Sequence, residues 1–495
     1  MSYYKKLEKK FDRIGKLNHL LSIVSWDEQV NMPQDSGESR AEAMAEGYLM
    51  IQELQLEPEL QDWAVEAGEE ASRGKLSPKE EANLKQIQKK LKEATAVPSE
   101  LNHALTLAVM KCQHAWRDLR KNNDWKNFLP LFEPVVSLTK EAASARGNAF
   151  GLSPYNALLD QYQSGLDSNF IDRVFDGIKT WHPALLDKAR ARKSTILPPS
   201  GSFSITSQKN IGLEVMKALG FDFQRGRLDV SHHPFCGGVS SDVRMTTRYS
   251  EDDFTQSLMG IIHETGHGLY EQGLPQEFEF QPAGHAAGMM IHESQSLLYE
   301  MQLGRSLPFL KFLTPIVKKH FGNDPSLETA NLQKIYQHVE PGLIRVDADE
   351  VSYPAHVILR YEIEKQLIEG NISTSDIPSL WDEKMKSYLG LDTKGNYKDG
   401  CLQDIHWPGG SFGYFPCYTL GAMLAAQWFQ ALKQDHENLD TAMESGDFTA
   451  ISSWLKTHIW SKGSFYHPLD LIKDGTGEAL TDRHYKLHLE RRYLS

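Results

Sequence analysis

The sequence predicts a mainly helical protein with one small β element, and three observations carry that expectation. Apolar residues recur at three- and four-residue spacing through most of the chain. Helix-start signals precede several of these runs. Only over residues 227–249 does the apolar period shorten toward two.

Taken in order, residues 3–160 read as successive amphipathic helices. Trp26-Asp27 and Met32-Pro33 mark a kink between the first two. Ser77-Pro78-Lys79-Glu80 is a capping box with proline at the first helical position, so a helix starts there. Leu101, Leu105, Ala108 and Met110 keep the period, and another helix covers Leu129 to Ala149. Asp167 is placed to cap a helix running to about Arg192. The stretch from Thr195 to Ser207 is turn-rich, with Pro198, Pro199 and Gly201, and a helix follows over 211–219. Residues 227–249, RLDVSHHPFCGGVSSDVRMTTRY, predict a small antiparallel hairpin with Gly237-Gly238 between its apolar positions. From 285 the helical pattern returns, almost to the last residue.

Chemistry concentrates in 254–270, FTQSLMGIIHETGHGLY. Phe254, Leu258, Ile261, Ile262 and Leu269 make it a buried helix. His263, Glu264 and His267 form H-E-x-x-H, which puts both imidazoles on one helical face, one turn apart. Two such histidines suit zinc, and Glu264 is expected to serve as general base at the open coordination position. Gly266 and Gly268 leave room beside the histidines, at a cost of roughly 1 kcal/mol each for glycine inside a helix. A catalytic zinc takes three protein ligands. The next helix is expected over 284–304, marked by Ala286, Met290, Leu297 and Leu298, and it carries Glu293, the expected third ligand. His285, His292, Glu277 and Glu279 are its rivals. The last two sit in a loop with Pro275 and Pro282, which aims them less rigidly.

Composition limits the alternatives. The 495 residues show no linker, repeat or low-complexity tract, so one domain over 1–495 is expected. Within it, 1–160 would form a helical wall or lid and 161–495 the catalytic portion. A formal net charge of −13 argues against nucleic acid and anionic membranes as partners. The first residues lack the apolar core of a signal peptide, and no apolar run is long enough to span a membrane. Cys112, Cys236, Cys401 and Cys417 are scattered without CxxC spacing, which fits a reducing, cytoplasmic setting.

Six motifs, in order along the chain, carry a family resemblance: HPF (233–235), DVRMT (242–246), HETGH (263–267), HESQS (292–296), IRVDAD (344–349) and GCLQDIHW (400–407). With WDEQVNMP near the start, they make most of the chain similar to the carboxypeptidase Taq family of metallocarboxypeptidases. Met245 stands where isoleucine is common, and Val346-Asp347 fill variable positions. The resemblance implies a nearly all-helical fold with a deep groove, like that of neurolysin. It also implies broad-specificity removal of single C-terminal residues, and a homodimer. The expected activity is therefore that of a zinc-dependent carboxypeptidase, with Co²⁺ or Mn²⁺ as substitute metals, acting on peptides with a free C-terminus. An oligopeptidase or peptidyl-dipeptidase on the same fold is the nearest alternative. A non-catalytic peptide-binding protein is the more distant one, and the intact Glu264 argues against it.

A carboxypeptidase must recognise a free α-carboxylate, and a guanidinium does so through a planar fork. Arg345 is the expected anchor, with Arg244 and Arg360 as weaker candidates. Its structural alternative is an ion pair with Asp347, Asp349 or Glu350. His406, Tyr414 and Tyr418 could donate hydrogen bonds to the oxyanion, one such donor being worth roughly 10²–10³ in rate. His233 and the strand over 239–247 could bind the substrate backbone as an added strand.

Overall fold

Caps and amphipathic faces set the helices of the computed structural model, which describes residues 1–192, 194–232 and 234–495. The first helix, Tyr3–Val30, starts at Ser2, whose side chain accepts from the Lys5 backbone N–H. Its buried residues Tyr4, Leu7 and Phe11 meet Leu60, Ala64 and Ala67 of helix Glu59–Ser72 and Leu84, Ile87 and Leu91 of helix Pro78–Ala96. The capping box ahead of the last of these is present: Ser77 N–H donates to Glu80 Oε2 at 2.9 Å, and Glu80 N–H to Ser77 Oγ at 3.4 Å. Asp167 likewise accepts from Phe170 N–H at 2.7 Å and opens helix Ser168–Ala191. Two expectations change. The break after the first helix lies at Asn31–Pro33, whereas Trp26 sits within an unbroken helix, its ring stacked by Arg244 and Arg227 at 4.3 and 4.8 Å. The helix expected over 211–219 spans Ile205–Ala218, because Ser204 caps it and ends the turn-rich stretch earlier.

The described chain divides into two compact units. The first comprises Met1–Ala94, Thr195–Tyr336 and Leu424–Leu480; the second comprises Thr95–Ser194, Gln337–Met423 and Thr481–Ser495.

The first unit holds the β element. Strands β1 (Gly226–Val230), β2 (Cys236–Val239) and β3 (Asp242–Thr247) form one sheet in the order β1-β3-β2. The expected antiparallel hairpin is β2–β3, pairing Cys236 with Met245 and Val239 with Asp242. Its turn is Ser240-Ser241, and the glycine pair lies inside β2. Gly238 has φ +117°, and a Cβ there would collide with the Asp242 carbonyl, so glycine is required for the two chains to approach. β1 adds a third strand parallel to β3, Gly226 beside Val243 through Val230 beside Thr247. Alternation reports that a segment is a strand; it carries no information on the direction of its partner.

Next in the chain comes the H-E-x-x-H helix, Phe254–Gly273, whose first turn is capped by Asp253 Oδ1 accepting from Thr255 N–H at 2.7 Å. It is buried on nearly every face. Against it lies Met289–Leu297, which begins after Gly288 (φ +112°) and so starts later than residue 284. That helix continues as a π-helical stretch, Leu298–Gly304. Trp460, whose ring packs against Gly273 of the motif helix, donates from Nε1–H to Gln295 Oε1 at 2.8 Å and so ties the Met289–Leu297 helix to it.

The second unit is built around helix Tyr353–Glu369. Its buried Glu364 accepts from Tyr155 O–H and Trp407 Nε1–H, both at 2.8 Å, and from Gly413 N–H at 2.5 Å. These bonds fix the loop that follows GCLQDIHW. Glu350 fastens helix Arg483–Tyr493 through His488 at 2.6 Å, Tyr493 O–H at 2.8 Å and Arg492 at 3.1 Å. Among the described residues no disulfide is present, and no helix is long and apolar enough to cross a membrane.

The contact at Gly266 yields a stability test. A Cβ at Gly266 would stand 2.6 Å from the Gln295 carbonyl oxygen and 2.7 Å from Ser296 Cα, both backbone atoms that cannot swing aside. Gly260, two turns earlier on the same helix, meets nothing within 4 Å. Gly266→Ala should therefore destabilise by about 1–3 kcal/mol, while Gly260→Ala should be neutral or stabilising by up to ~1 kcal/mol. Denaturant melts of both variants check this, and equal effects would mean the helices do not depend on that approach.

Candidate active site

Helical spacing brings His263 and His267 to one face, and Met289–Leu297 delivers Glu293 opposite them. His263 Nε2 lies 3.9 Å from Glu293 Oε1, and His267 Nε2 lies 3.6 Å from Glu293 Oε2. One ligand atom from each of the three residues falls within 4.8 Å of the others. Ligand atoms on a tetrahedral ion with bonds of about 2.0–2.1 Å stand roughly 3.4 Å apart. Small shifts would therefore close these three onto a cation.

The surroundings fit a cation as well. The carboxylates of Glu264, Glu293 and Glu300 surround the two imidazoles, and Arg305 is bound to Glu300 at 2.7 Å. Burial drives the His267 imidazole down to about 4, so it is neutral and able to coordinate. Burial opposes charge on His263 too, but the hydrogen bond to Glu300 and the nearby Glu293 outweigh it and raise that ring to about 9. A proton there occupies the place a metal would take. Glu264 is buried, and its Oε2 has no partner among the described residues. Burial pushes its carboxyl up to about 7, a value suited to exchanging protons near neutrality.

The rival ligands are engaged elsewhere. His292 stacks on His267 with ring centroids 4.5 Å apart and bonds to Glu271 at 2.7 Å. Glu277 pairs with Lys79 at the surface, and His285 is exposed. Glu279 holds the β2–β3 turn, accepting from Ser240 O–H and Ser241 N–H at 2.8 Å each. Arg244 is paired with Asp242 at 2.9 Å. His233 lies outside the described residues. The suggestion that 239–247 receives an added substrate strand is overturned by topology. β3 is the central strand, with β1 hydrogen-bonded on one side and β2 on the other, so neither of its edges is open.

In the second unit Arg345 is buried and paired, but not with the partners anticipated. Its Nε and Nη2 donate to Asp404 Oδ1 at 3.0 and 2.8 Å, and its Nη1 to Tyr353 O–H at 2.7 Å. Of the expected partners, Asp347 is exposed, Asp349 caps Val351 and Ser352, and Glu350 holds the last helix. Asp404 also accepts from Arg360 Nε at 2.6 Å. Arg360 Nη2 is buried with no partner among the described residues. Burial and the Arg360 guanidinium hold His356 down to about 3, and burial with Arg345 holds His406 down to about 4. Both rings are neutral, so two guanidinium charges face one carboxylate. Burial would raise the Asp404 carboxyl, yet Arg360 and Arg345 keep it far below the usual range. His406 Nε2 is 3.1 Å from the Tyr418 hydroxyl, the Tyr414 ring lies 5.2 Å from that of Tyr418, and Tyr418 covers Arg345 at 4.8 Å. The structure thus gathers Arg345, His406, Tyr414 and Tyr418. It adds Asp404, Arg360 and Tyr353, of which only Arg360 was singled out from the sequence, as a weaker anchor; Asp404 was visible inside GCLQDIHW but had no assigned role.

Comparison with known proteins places the chain. The family model described as carboxypeptidase Taq (M32) metallopeptidase matches residues 6–493. Thermostable carboxypeptidase 1 of Thermus thermophilus is 35% identical over 497 residues, covering 97% of this chain and 96% of the relative. Carboxypeptidase 1 of Bacillus subtilis is 34% identical, covering 99% and 98%. The solved structure of Trypanosoma cruzi metallocarboxypeptidase 1 superposes with a TM-score of 0.97 at 41% identity, covering 100% of this chain and 99% of that one. A metallopeptidase needs a metal site, the His263, His267 and Glu293 group is able to hold a divalent ion, and a match over nearly the whole chain shows that the chain belongs to this family: it is a carboxypeptidase Taq (M32) metallopeptidase.

Proposed function

We propose that the chain is a zinc-dependent carboxypeptidase that releases single C-terminal residues, with broad specificity, from peptides bearing a free carboxylate. The observation that carries this is the pairing of a three-ligand group with an adjacent buried base, Glu264, one of whose oxygens has no partner. Two imidazoles and a carboxylate suit zinc, with Co²⁺ or Mn²⁺ as substitutes. Held by His263, His267 and Glu293, such an ion supplies Lewis acidity and a more acidic water. Glu264 takes the proton of the attacking water and returns it to the departing amine. His406, Tyr414 and Tyr418 are the candidate donors to the oxyanion.

The excess charge beside Asp404 supports the exopeptidase register. Arg345 uses three of the five N–H groups a guanidinium offers. One net positive charge is left in a buried setting, and a substrate α-carboxylate offsets it. Arg345 is the proposed anchor, with Arg360 reinforcing it through Asp404. Four scattered cysteines without CxxC spacing support a reducing, cytoplasmic setting.

Two sets of outcomes test this reading. Glu293→Ala and His263→Ala should lose the bound ion by elemental analysis, while Glu264→Gln should keep ion and fold but lose most turnover. A kcat for Glu264→Gln within about tenfold of wild type, only ~1.4 kcal/mol, would assign the base elsewhere.

C-terminal amidation tests the register. An amidated peptide leaves the guanidinium uncompensated, at roughly 2–5 kcal/mol, so its cleavage should be about a hundredfold slower or worse. Arg345→Ala should slow cleavage of the acid and narrow the gap to the amide, and Arg345→Lys should recover only part of it. Mass spectrometry should show single amino acids leaving stepwise. Dipeptides or internal fragments as first products would instead favour an oligopeptidase or peptidyl-dipeptidase.

A further inference from the structure

Behind the His263 ring lies a carboxylate that the proposed chemistry does not use. Glu300 Oε2 is 2.9 Å from His263 Nδ1. The other ring nitrogen, Nε2, is the one that faces Glu293. Glu300 therefore sits across the ring from the position an ion would take and is not a fourth ligand. Its own second oxygen accepts from Arg305 Nη2 at 2.7 Å, and both side chains are largely buried, at 12% and 14% exposure. The backbone explains the placement. Glu293 belongs to the α-helical turns of Met289–Leu297 and Glu300 to the π-helical turns of Leu298–Gly304 that continue them. Local π-helical turns are uncommon and concentrate at functional sites. Here one continuous segment meets His263 at both of its nitrogens. His267 is supported differently: its Nδ1 has no hydrogen-bond partner among the described residues, and its ring rests on His292.

We propose that Glu300 is a positioning residue for His263, accepting the Nδ1 hydrogen bond so that the ring holds one tautomer and one orientation with Nε2 turned toward the metal, while Arg305 anchors Glu300. This rests on the reading of His263, His267 and Glu293 as metal ligands. An imidazole that gives its Nε2 lone pair to a metal carries its proton on Nδ1, and that N–H requires an acceptor in a buried site. An ionised carboxylate is the strongest acceptor available, and it also makes the ring a better donor to the metal. Arg305 keeps that acceptor in place and ionised. Loss of such an outer partner weakens metal binding by roughly 10–100-fold.

Cobalt(II) titration of the metal-free, full-length protein tests this, read by the visible absorption of the bound ion and by competition with a chelator. His263→Ala serves as the control on the underlying reading: if it binds cobalt as wild type does, the ligand assignment itself is wrong. With that control behaving as expected, Glu300→Ala should bind cobalt 10–100-fold more weakly. Its loaded form should show an altered visible band, and the melting temperature of the metal-free protein should change little. Glu300→Gln keeps an acceptor without its charge and should recover part of the affinity, while remaining at least threefold weaker than wild type. If Glu300→Ala does not fold, the Glu300→Gln affinity decides alone. A loss smaller than threefold in the variant that decides overturns the proposal. So does a Glu300→Ala protein whose only change is a lower melting temperature, with the cobalt band and affinity of wild type, because that is the behaviour of a purely structural carboxylate.

Discussion

The approach of two helix backbones at Gly266 is the constraint on which the metal site depends. The Gln295 carbonyl and Ser296 Cα lie where a Cβ at 266 would be. Only at that separation can a short glutamate side chain from one helix reach two histidines on the other, leaving 3.6 and 3.9 Å between the facing atoms. Gly268 plays the same part on the sheet side, where Met245 Sδ and Phe221 fill the space of a side chain. The motif helix therefore gives up helix propensity at two positions, roughly 1 kcal/mol each, and gains neighbours close enough to aim its ligands. Trp460, bonded to Gln295, holds the second helix in that position.

Each unit also buries a charge imbalance, and the two are of opposite sign. In the first, Glu264, Glu293 and Glu300 surround neutral His267 and a His263 that is charged only while nothing displaces its proton, and Arg305 offsets only Glu300, so the excess is negative once that proton leaves. In the second, Arg345 and Arg360 share a single Asp404. Buried charge without a partner is costly, so natural folds pair it or bring in a ligand. On the proposed function, a divalent cation would relieve the first imbalance and a substrate carboxylate the second. A metallocarboxypeptidase needs both ligands: an ion to polarise the scissile bond and the free acid of the substrate to set where the cut falls.

Local signals explain what could be read from the chain and what could not. H-E-x-x-H was legible because helical spacing alone sets which residues share a face, and Glu293 because it lies on the next periodic segment. The capping box at Ser77 and the N-cap at Asp167 were legible for the same reason: they are contacts three residues apart. Arg345 could be singled out by its chemistry, but its partner could not. Asp404 is 59 residues away, whereas the candidates offered by proximity are exposed, as Asp347 is, or engaged elsewhere, as Asp349 and Glu350 are. Glu300 was hidden because a π-helical turn shifts the register that a 3.6-residue period assumes. Parallel β1 was hidden because alternation carries no strand direction, and so β3, which is the central strand, was offered for pairing with a substrate strand.

That Arg345 is already paired strengthens its candidacy as an anchor. A lone arginine on a mobile side chain would lose rotamer entropy on gripping a carboxylate. Here Asp404 holds Nε and Nη2, Tyr353 holds Nη1 and the Tyr418 ring covers the face, so the fork is set before any ligand arrives. One carboxylate pairing with one guanidinium would leave no charge to recruit a second acid. Arg360 changes this, because Asp404 spends its other oxygen on it at 2.6 Å and cannot neutralise both cations. Asp404 is thus a positioning group whose charge is divided, and the remainder stays with a guanidinium that cannot move. Lysine at 345 would lack the planar fork that engages Asp404 and Tyr353 together, and the rigidity would be lost even though the charge is retained.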